Sequence, residues 1–243
     1  MKFLVNLKNN KMKNILIIGG SYGIGLELAK ELQTENNVFI ASRTNENLSG
    51  LDITYIPFDA TTDTLDTSIL PAVIDGLIYC PGSINLRPFR GLKLETFESD
   101  MHINFFSMVK VIQNLLPQLT ASEQASIVLF SSVAVKMGMP FHTSVSASKG
   151  AIEGFAKALA AEYAPKIRVN VIAPSLTDTP LAEKFLSNEE KREKSAQRHP
   201  LKRVGTTGDI AQMSSFLLNE KSSWISGQIF HVDGGMSSLL VNS

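Results

Sequence analysis

Only one cysteine occurs among the 243 residues, Cys80, so no disulfide can close within the chain and a secreted disulfide framework is excluded. Histidine is nearly as scarce, with four, and no His/Cys spacing typical of a metal site is present. Neither sign of charge is in excess: Lys+Arg and Asp+Glu number 23 each. That balance argues against a broad electrostatic footprint for nucleic acid or for an anionic membrane. Long hydrophobic runs are missing too; none approaches the roughly 18–20 apolar residues of a membrane helix. The opening MKFLVNLKNNKMKN has no long apolar core and no small-residue cleavage site. It does not read as a signal peptide, and the expected location is cytoplasmic. It reads as a flexible extension over residues 1–12, with Met12 as an alternative start. No internal repeat, low-complexity tract or Pro/Gly/Ser-rich linker divides residues 13–243, which are expected to form one domain.

What is present is globular: 44% hydrophobic and 19% charged residues allow a sizeable core without staples. Short apolar runs read as buried strands at Asn14–Ile18, Val38–Ala41, Ile53–Phe58, Gly76–Tyr79, Ser126–Phe130, Arg168–Ile172 and Gln228–Val232. They lack polar alternation, as strands covered on both faces do. Helical periodicity falls between them, at Gly23–Glu31, Leu94–Leu119, Ser144–Tyr163, Leu181–Gln197 and Thr207–Leu218. Alternation of this kind predicts an α/β fold, a Rossmann-type doubly wound parallel sheet of about seven strands flanked by helices. The run from Glu189 to Lys194 is a charged helix face, and the span between Arg43 and Ile53 is too short for a crossover helix.

The first strand runs into Gly19-Gly20-Ser21-Tyr22-Gly23-Ile24-Gly25 and then into helix. In that strand–turn–helix context Gly19 permits the turn, Gly23 leaves room for a diphosphate, and Gly25 lets the helix pack closely. The free amides of the helix start then face the anion. A dinucleotide with a free ribose 2′-hydroxyl usually meets an Asp or Glu after the second strand. Here Ser42 and Arg43 stand instead, and a guanidinium suits a 2′-phosphate. NADP(H) is therefore favoured and NAD(H) remains possible; Arg43 stacked on adenine or simply solvated is the other reading. Asp59, after the third strand, is placed to accept from the adenine amino group, or is an ordinary strand-end acid.

These features together resemble the short-chain dehydrogenase/reductase family. The turn is similar to its Thr-Gly-x-x-x-Gly-x-Gly with Ile18 for Thr, and Arg168-Val-Asn170-Val-Ile-Ala-Pro174 to the strand before its nicotinamide loop. Pro200-Leu-Lys-Arg203-Val-Gly205, Ile225-Ser-Gly227 and Val232-Asp233-Gly234-Gly235 match its C-terminal signature. The resemblance spans about Asn14 to Met236. It implies a hydride-transferring oxidoreductase acting on a small-molecule substrate, with a cofactor surface of Gly19, Ser21, Tyr22, Gly23, Ile24, Ser42, Arg43, Asp59, Ala60, Cys80, Pro81, Gly82, Lys149, Pro174, Leu176, Thr177 and Thr179. It also implies a homodimer or homotetramer built on the two long helices, and a substrate lid over residues 180–200.

The family's catalytic set is Asn, Ser and Tyr-x-x-x-Lys. Asn104, Ser132 and Lys149 occupy three of these places, but the position four before Lys149 is Val145. Valine has no proton to give, and general acid–base help of this kind is worth about 10²–10⁴-fold. Three explanations stay open. His142 can supply the proton, contact the substrate, or be a loop histidine ahead of Thr143 and Ser144, which read as helix caps. Ser132 or a water held at Lys149 can transfer it. Or the protein binds NADP(H) with little turnover. The family's Asn-Asn-Ala-Gly is Tyr79-Cys80-Pro81-Gly82 here, with Cys80 expected to fill space as a small apolar group. Thr177 and Asp178 are nicotinamide-loop residues or helix caps before Pro180. Arg192, Arg198 and His199 are candidates to meet an anionic substrate.

Overall fold

The computed structural model describes residues 12–241, so all but the last residue of the expected extension lies outside the described residues. Seven strands build one sheet: β1 (Lys13–Ile18), β2 (Asn36–Ser42), β3 (Thr54–Pro57), β4 (Gly76–Tyr79), β5 (Ala125–Phe130), β6 (Ile167–Pro174) and β7 (Ile229–Val232). Every pairing is parallel, in the order β3-β2-β1-β4-β5-β6-β7. The chain winds outward from β1 to β3 and then returns to start β4 on the other side of β1. That reversal opens a crevice at the carboxyl ends of β1 and β4.

The helices are α1 (Gly23–Leu32), α2 (Leu94–Met101), α3 (Ser107–Thr120), α4 (Val133–Met137), α5 (Thr143–Tyr163), α6 (Glu189–Gln197) and α7 (Thr207–Leu218). Both faces of the sheet are apolar because alternate strand residues point to opposite sides. Leu16, Leu77, Ile127 and Val169 pack with Ile112, Leu115, Ile152 and Ala156 of α3 and α5. Ile15, Ile17, Ile78 and Val128 pack with Leu28, Ala29, Ile210 and Leu217 of α1 and α7. This double burial is why the strand runs lack alternation.

Two expected helices are interrupted. Leu94–Leu119 is broken by a π-helical turn at His102–Phe106, between α2 and α3. Leu181–Gln197 divides into a 3₁₀ turn at Pro180–Phe185 and α6, because Asn188 caps α6 by accepting from the Lys191 amide at 2.9 Å. The charge run of α6 is exposed, as its composition implies. Residues 43–53 form turns and no helix.

Polar ties hold the far edge of the sheet. Arg168 of β6 is buried and donates to the carbonyls of Leu217 at 3.0 Å and Ser222 at 3.1 Å, satisfying the carboxyl end of α7. Arg168→Ala removes these bonds from a buried site and is expected to cost about 2–4 kcal/mol in urea unfolding. At the other end of α7, Thr206 and Asp209 form a reciprocal capping box, and Arg203 donates to both Asp209 oxygens at 2.6 and 2.7 Å. Arg203 holds the Asp209 carboxyl well below its ordinary value of 3.8. The unfolded chain binds this proton more readily, so the contribution is complete above the ordinary value and is lost as pH falls through the native one. Asp209→Asn is expected to shallow the loss of stability below about pH 4, read as urea midpoints at stepped pH.

Candidate active site

The carboxyl ends of β1 to β6 open into one cavity of about 930 Å³. Its end beside β1 and α1 is built by close backbone contact. Gly19 has φ 79°, and a Cβ there would lie 3.1 Å from the Pro81 ring. A Cβ on Gly25 would lie 2.4 Å from the Gly19 carbonyl oxygen, so α1 is pressed against the turn that starts it. Tyr22 holds the N-cap position without a side-chain cap, which leaves the first-turn amides of α1 free toward the cavity wall formed by Tyr22, Gly23 and Ile24. Ser21 is buried beside them, and its carbonyl accepts from Asn47 at 3.2 Å.

The next rim is set by β2 and β3. Ser42 turns its hydroxyl to the Thr44 carbonyl at 2.9 Å. Arg43 is exposed on the cavity wall, with no ion pair or hydrogen bond to another described residue. Asp59 accepts from the Thr61 hydroxyl at 2.6 Å and amide at 2.9 Å, and these bonds, with Arg43 nearby, hold its carboxyl below the ordinary range. Ala60 lines the same side.

Lys149 reaches the chemical end from α5. Its ammonium donates to the Phe130 carbonyl at 2.9 Å, and burial pushes its pKa down to about 8. Burial pushes the Cys80 thiol up to about 12, so Cys80 is an unreactive thiol beside the ammonium. Ser132 sits at the cavity wall and caps α4 by accepting from the Ala134 amide at 3.2 Å, which leaves its own proton free to donate. Val145 lines the wall and is almost fully buried. His142 is the residue just before α5, at the mouth; its Nδ1 faces the Pro140 carbonyl at 2.7 Å. Thr143 and Ser144 are already helical, so neither is the cap expected of them.

Asn104 differs from the other expected site residues: it is buried and does not line the cavity. The π turn carries it inward, where it donates to the Asp100 carbonyl at 2.9 Å and the Ser83 hydroxyl at 3.0 Å. A Cβ on Gly82 would lie 3.0 Å from its Oδ1 and 3.4 Å from the Lys149 ammonium, so the three groups meet around Gly82. Ser83 and Asp100 were not singled out in the sequence. The available signal was a carboxylate four residues before Asn104, on the same helical face.

The loop after β6 closes the cavity with Pro174, Ser175, Leu176, Thr177 and Thr179. Thr177 donates to the Ser175 carbonyl at 3.0 Å, and Thr179, not Thr177 or Asp178, precedes the 3₁₀ turn. Asp178 pairs with Arg192 at 2.7 Å, which removes Arg192 from the cavity wall. Arg198 lines it, as does His199, a buried ring held between the Ser195 carbonyl and the Ser175 hydroxyl, each at 2.8 Å. Across the mouth Lys184 donates to the Ile84 carbonyl at 3.1 Å. Among the described residues no group of His, Cys, Asp and Glu could hold a metal ion, and no helix is long and apolar enough to cross a membrane.

This geometry has close counterparts. A family profile described as enoyl-(acyl carrier protein) reductase matches residues 19–237. The chain is 29% identical over 240 residues to a 3-oxoacyl-(acyl-carrier-protein) reductase of Buchnera aphidicola, covering 92% of this chain and 97% of that one. It is 32% identical over 241 residues to a tropinone reductase homolog of Datura stramonium, covering 90% of each. Among solved structures, ligand-free aldohexose dehydrogenase of Thermoplasma acidophilum superposes with TM-score 0.87 at 26% identity, over 96% of this chain and 97% of that one. ElxO with NADP bound superposes with TM-score 0.86 at 27% identity, over 94% and 100%. Likeness along nearly the whole sequence, carried on the same fold, makes this protein a member of the short-chain dehydrogenase/reductase family of oxidoreductases.

Proposed function

We propose that this protein is an NADP(H)-dependent oxidoreductase. It moves a hydride between nicotinamide and the carbon of a carbonyl or alcohol, or of a related C=C or C=N bond, in a small-molecule substrate. The observation that carries the reading is that one cavity holds both the uncapped amino end of α1 and the Lys149 ammonium. The residues fit the cofactor: close packing at Gly19 and Gly25 leaves free amides at the start of α1 to meet a diphosphate, and Arg43, with no ion pair among the described residues, is exposed on the same wall to meet a 2′-phosphate. ElxO, of the same fold, holds NADP.

Bound NADPH supplies the hydride. The protein supplies the rest. The α1 amides and Arg43 bind the phosphates; Asp59 and Ala60 flank the adenine end; Pro81 and Gly82 flank the ribose. Lys149 holds the nicotinamide ribose and keeps a positive charge near the reacting oxygen. Leu176, Thr177 and Thr179 orient the carboxamide. Ser132 donates to the substrate oxygen, and Asn104 supports Lys149 from behind. Residues 180–200 act as a lid, clasped through Lys184. Ile84, Leu86, Met139 and Phe185 give the substrate end an apolar lining. Since Val145 offers no proton, another group exchanges it. A second reading rests on that same valine: a protein that binds NADP(H) and turns over little.

We further propose a homodimer or homotetramer through α3 and α5. Phe106 is exposed beside Phe105 and Phe155, and nothing lies within 4 Å of a Cβ built on Gly154.

Fluorescence titration with NADPH, followed by turnover on aldehydes, ketones and imines, tests the reading. Saturable binding with NADPH oxidation supports it, and saturable binding without oxidation supports the second reading. Arg43→Ala is expected to weaken NADPH about 10–100-fold, the worth of one or two charge-assisted bonds, and to leave NADH affinity unchanged. Light scattering is expected to show a dimer or tetramer. Gly154→Arg, at an exposed position where a Cβ has open space, is expected to yield a folded monomer.

A further inference from the structure

A buried carboxylate that no step above uses lies behind the cavity. Asp100, in the last turn of α2, has no exposed surface. Ser83 donates to its Oδ1 at 2.5 Å, Asn85 to the same oxygen at 2.7 Å, and Ser144 to Oδ2 at 2.6 Å. No Lys or Arg makes an ion pair with it among the described residues. Apolar packing would serve a helix at such a position at less desolvation cost, so the carboxylate calls for a use.

Ser83 is the member of this cluster that reaches the cavity wall. It follows Gly82, around which Asn104 and Lys149 meet. Its hydroxyl accepts from Asn104 at 3.0 Å while donating to Asp100, so it has one lone pair left and an acceptor fixed behind it. Ser144, immediately before Val145, is tied to the same carboxylate. The cluster therefore adjoins the position where the resemblance puts a phenol and this chain has valine.

We propose that Ser83 and Asp100 form the proton relay of this active site, with Ser83 meeting the substrate oxygen and Asp100 taking the proton behind it. The inference rests on the oxidoreductase reading. In alcohol oxidation the substrate carbon gives its hydride to the nicotinamide. The substrate hydroxyl proton passes to Ser83 Oγ as the Ser83 proton passes to Asp100 Oδ1. The products are a carbonyl, reduced cofactor, an intact serine and a neutral aspartic acid, which returns its proton through Ser83 to the cavity once the carbonyl has left. Carbonyl reduction runs the same path backwards. Ser83 is a catalytic residue in this scheme; Asp100 acts through it, and Asn85, Ser144 and Asn104 position the pair. The titratable groups facing the cluster are Lys149 from α5 and, beside it, Cys80 after β4. Burial pushes Lys149 down to about 8.

The test uses the full chain with cyclohexanol and straight-chain secondary alcohols at saturating NADP⁺, together with ¹³C-carboxyl aspartate NMR. Asp100→Asn and Ser83→Ala are expected to lower kcat by about 10²-fold or more with NADPH affinity retained, and Ser83→Thr to recover most of the loss. One limb of the kcat/KM pH profile is expected to vanish in Asp100→Asn. The carboxyl resonance missing from that variant should titrate with the limb. Turnover retained in both variants, or lost only in His142→Ala, overturns the relay while the oxidoreductase reading stands. An Asp100 resonance that stays still while the rate titrates overturns it as well. Wild-type protein that fails to bind NADPH overturns both, whereas protein that binds it and oxidises none of these alcohols overturns the relay while cofactor binding stands.

Discussion

Two backbones touch at the end of β1, and the position of every functional group follows from that contact. A side chain at Gly25 would collide with the Gly19 carbonyl, and one at Gly19 would meet the Pro81 ring. Without those side chains α1 closes onto its own entry turn, and the turn closes onto the segment leaving β4. The amides of α1 are thereby fixed relative to Gly82, and Gly82 in turn is fixed against Asn104 and Lys149. The anion-binding end and the ammonium end thus share one rigid reference, the reversal point of the sheet.

The ammonium is held at a thermodynamic disadvantage. Burial lowers its pKa, and the Cys80 and Asp100 side chains offset part of that loss, while the Phe130 carbonyl accepts from the ammonium. The interior behind the cavity is wired with hydroxyls and amides around the Asp100 carboxylate. Asn104 joins both parts: it bonds to Ser83 and to the Asp100 backbone, and it lies against Gly82.

Much of this was legible in the sequence because burial on two sides leaves a strong mark. The strand runs, the glycine turn and the ends of α7 depend on local pattern, and the chain shows them where that pattern places them. The helix breaks were not legible. A π turn at His102–Phe106 leaves no hydrophobic signature, and the cap at Asn188 competes with a charge run that reads as continuous helix. Most expected cavity residues cluster in the same volume, whereas Asn104 stands behind its wall. Ser83 and Asp100 escaped notice because their link spans 17 positions and neither belongs to a motif. Arg192 looked like a cation for substrate because spacing does not reveal that Asp178 folds back onto it.

The widened turn between α2 and α3 has an evolutionary corollary. A π segment can be regarded as a helix carrying one surplus residue, and such segments gather at functional sites. Losing that residue would restore a regular spiral, yet it would swing the upstream face by about 100° relative to the downstream one. Asp100 and Asn104, four residues apart, would stay on one face, but both would turn relative to the α3 face that packs on the sheet. A regular helix and the present placement of Asp100 and Asn104 behind the cavity thus oppose each other in this segment.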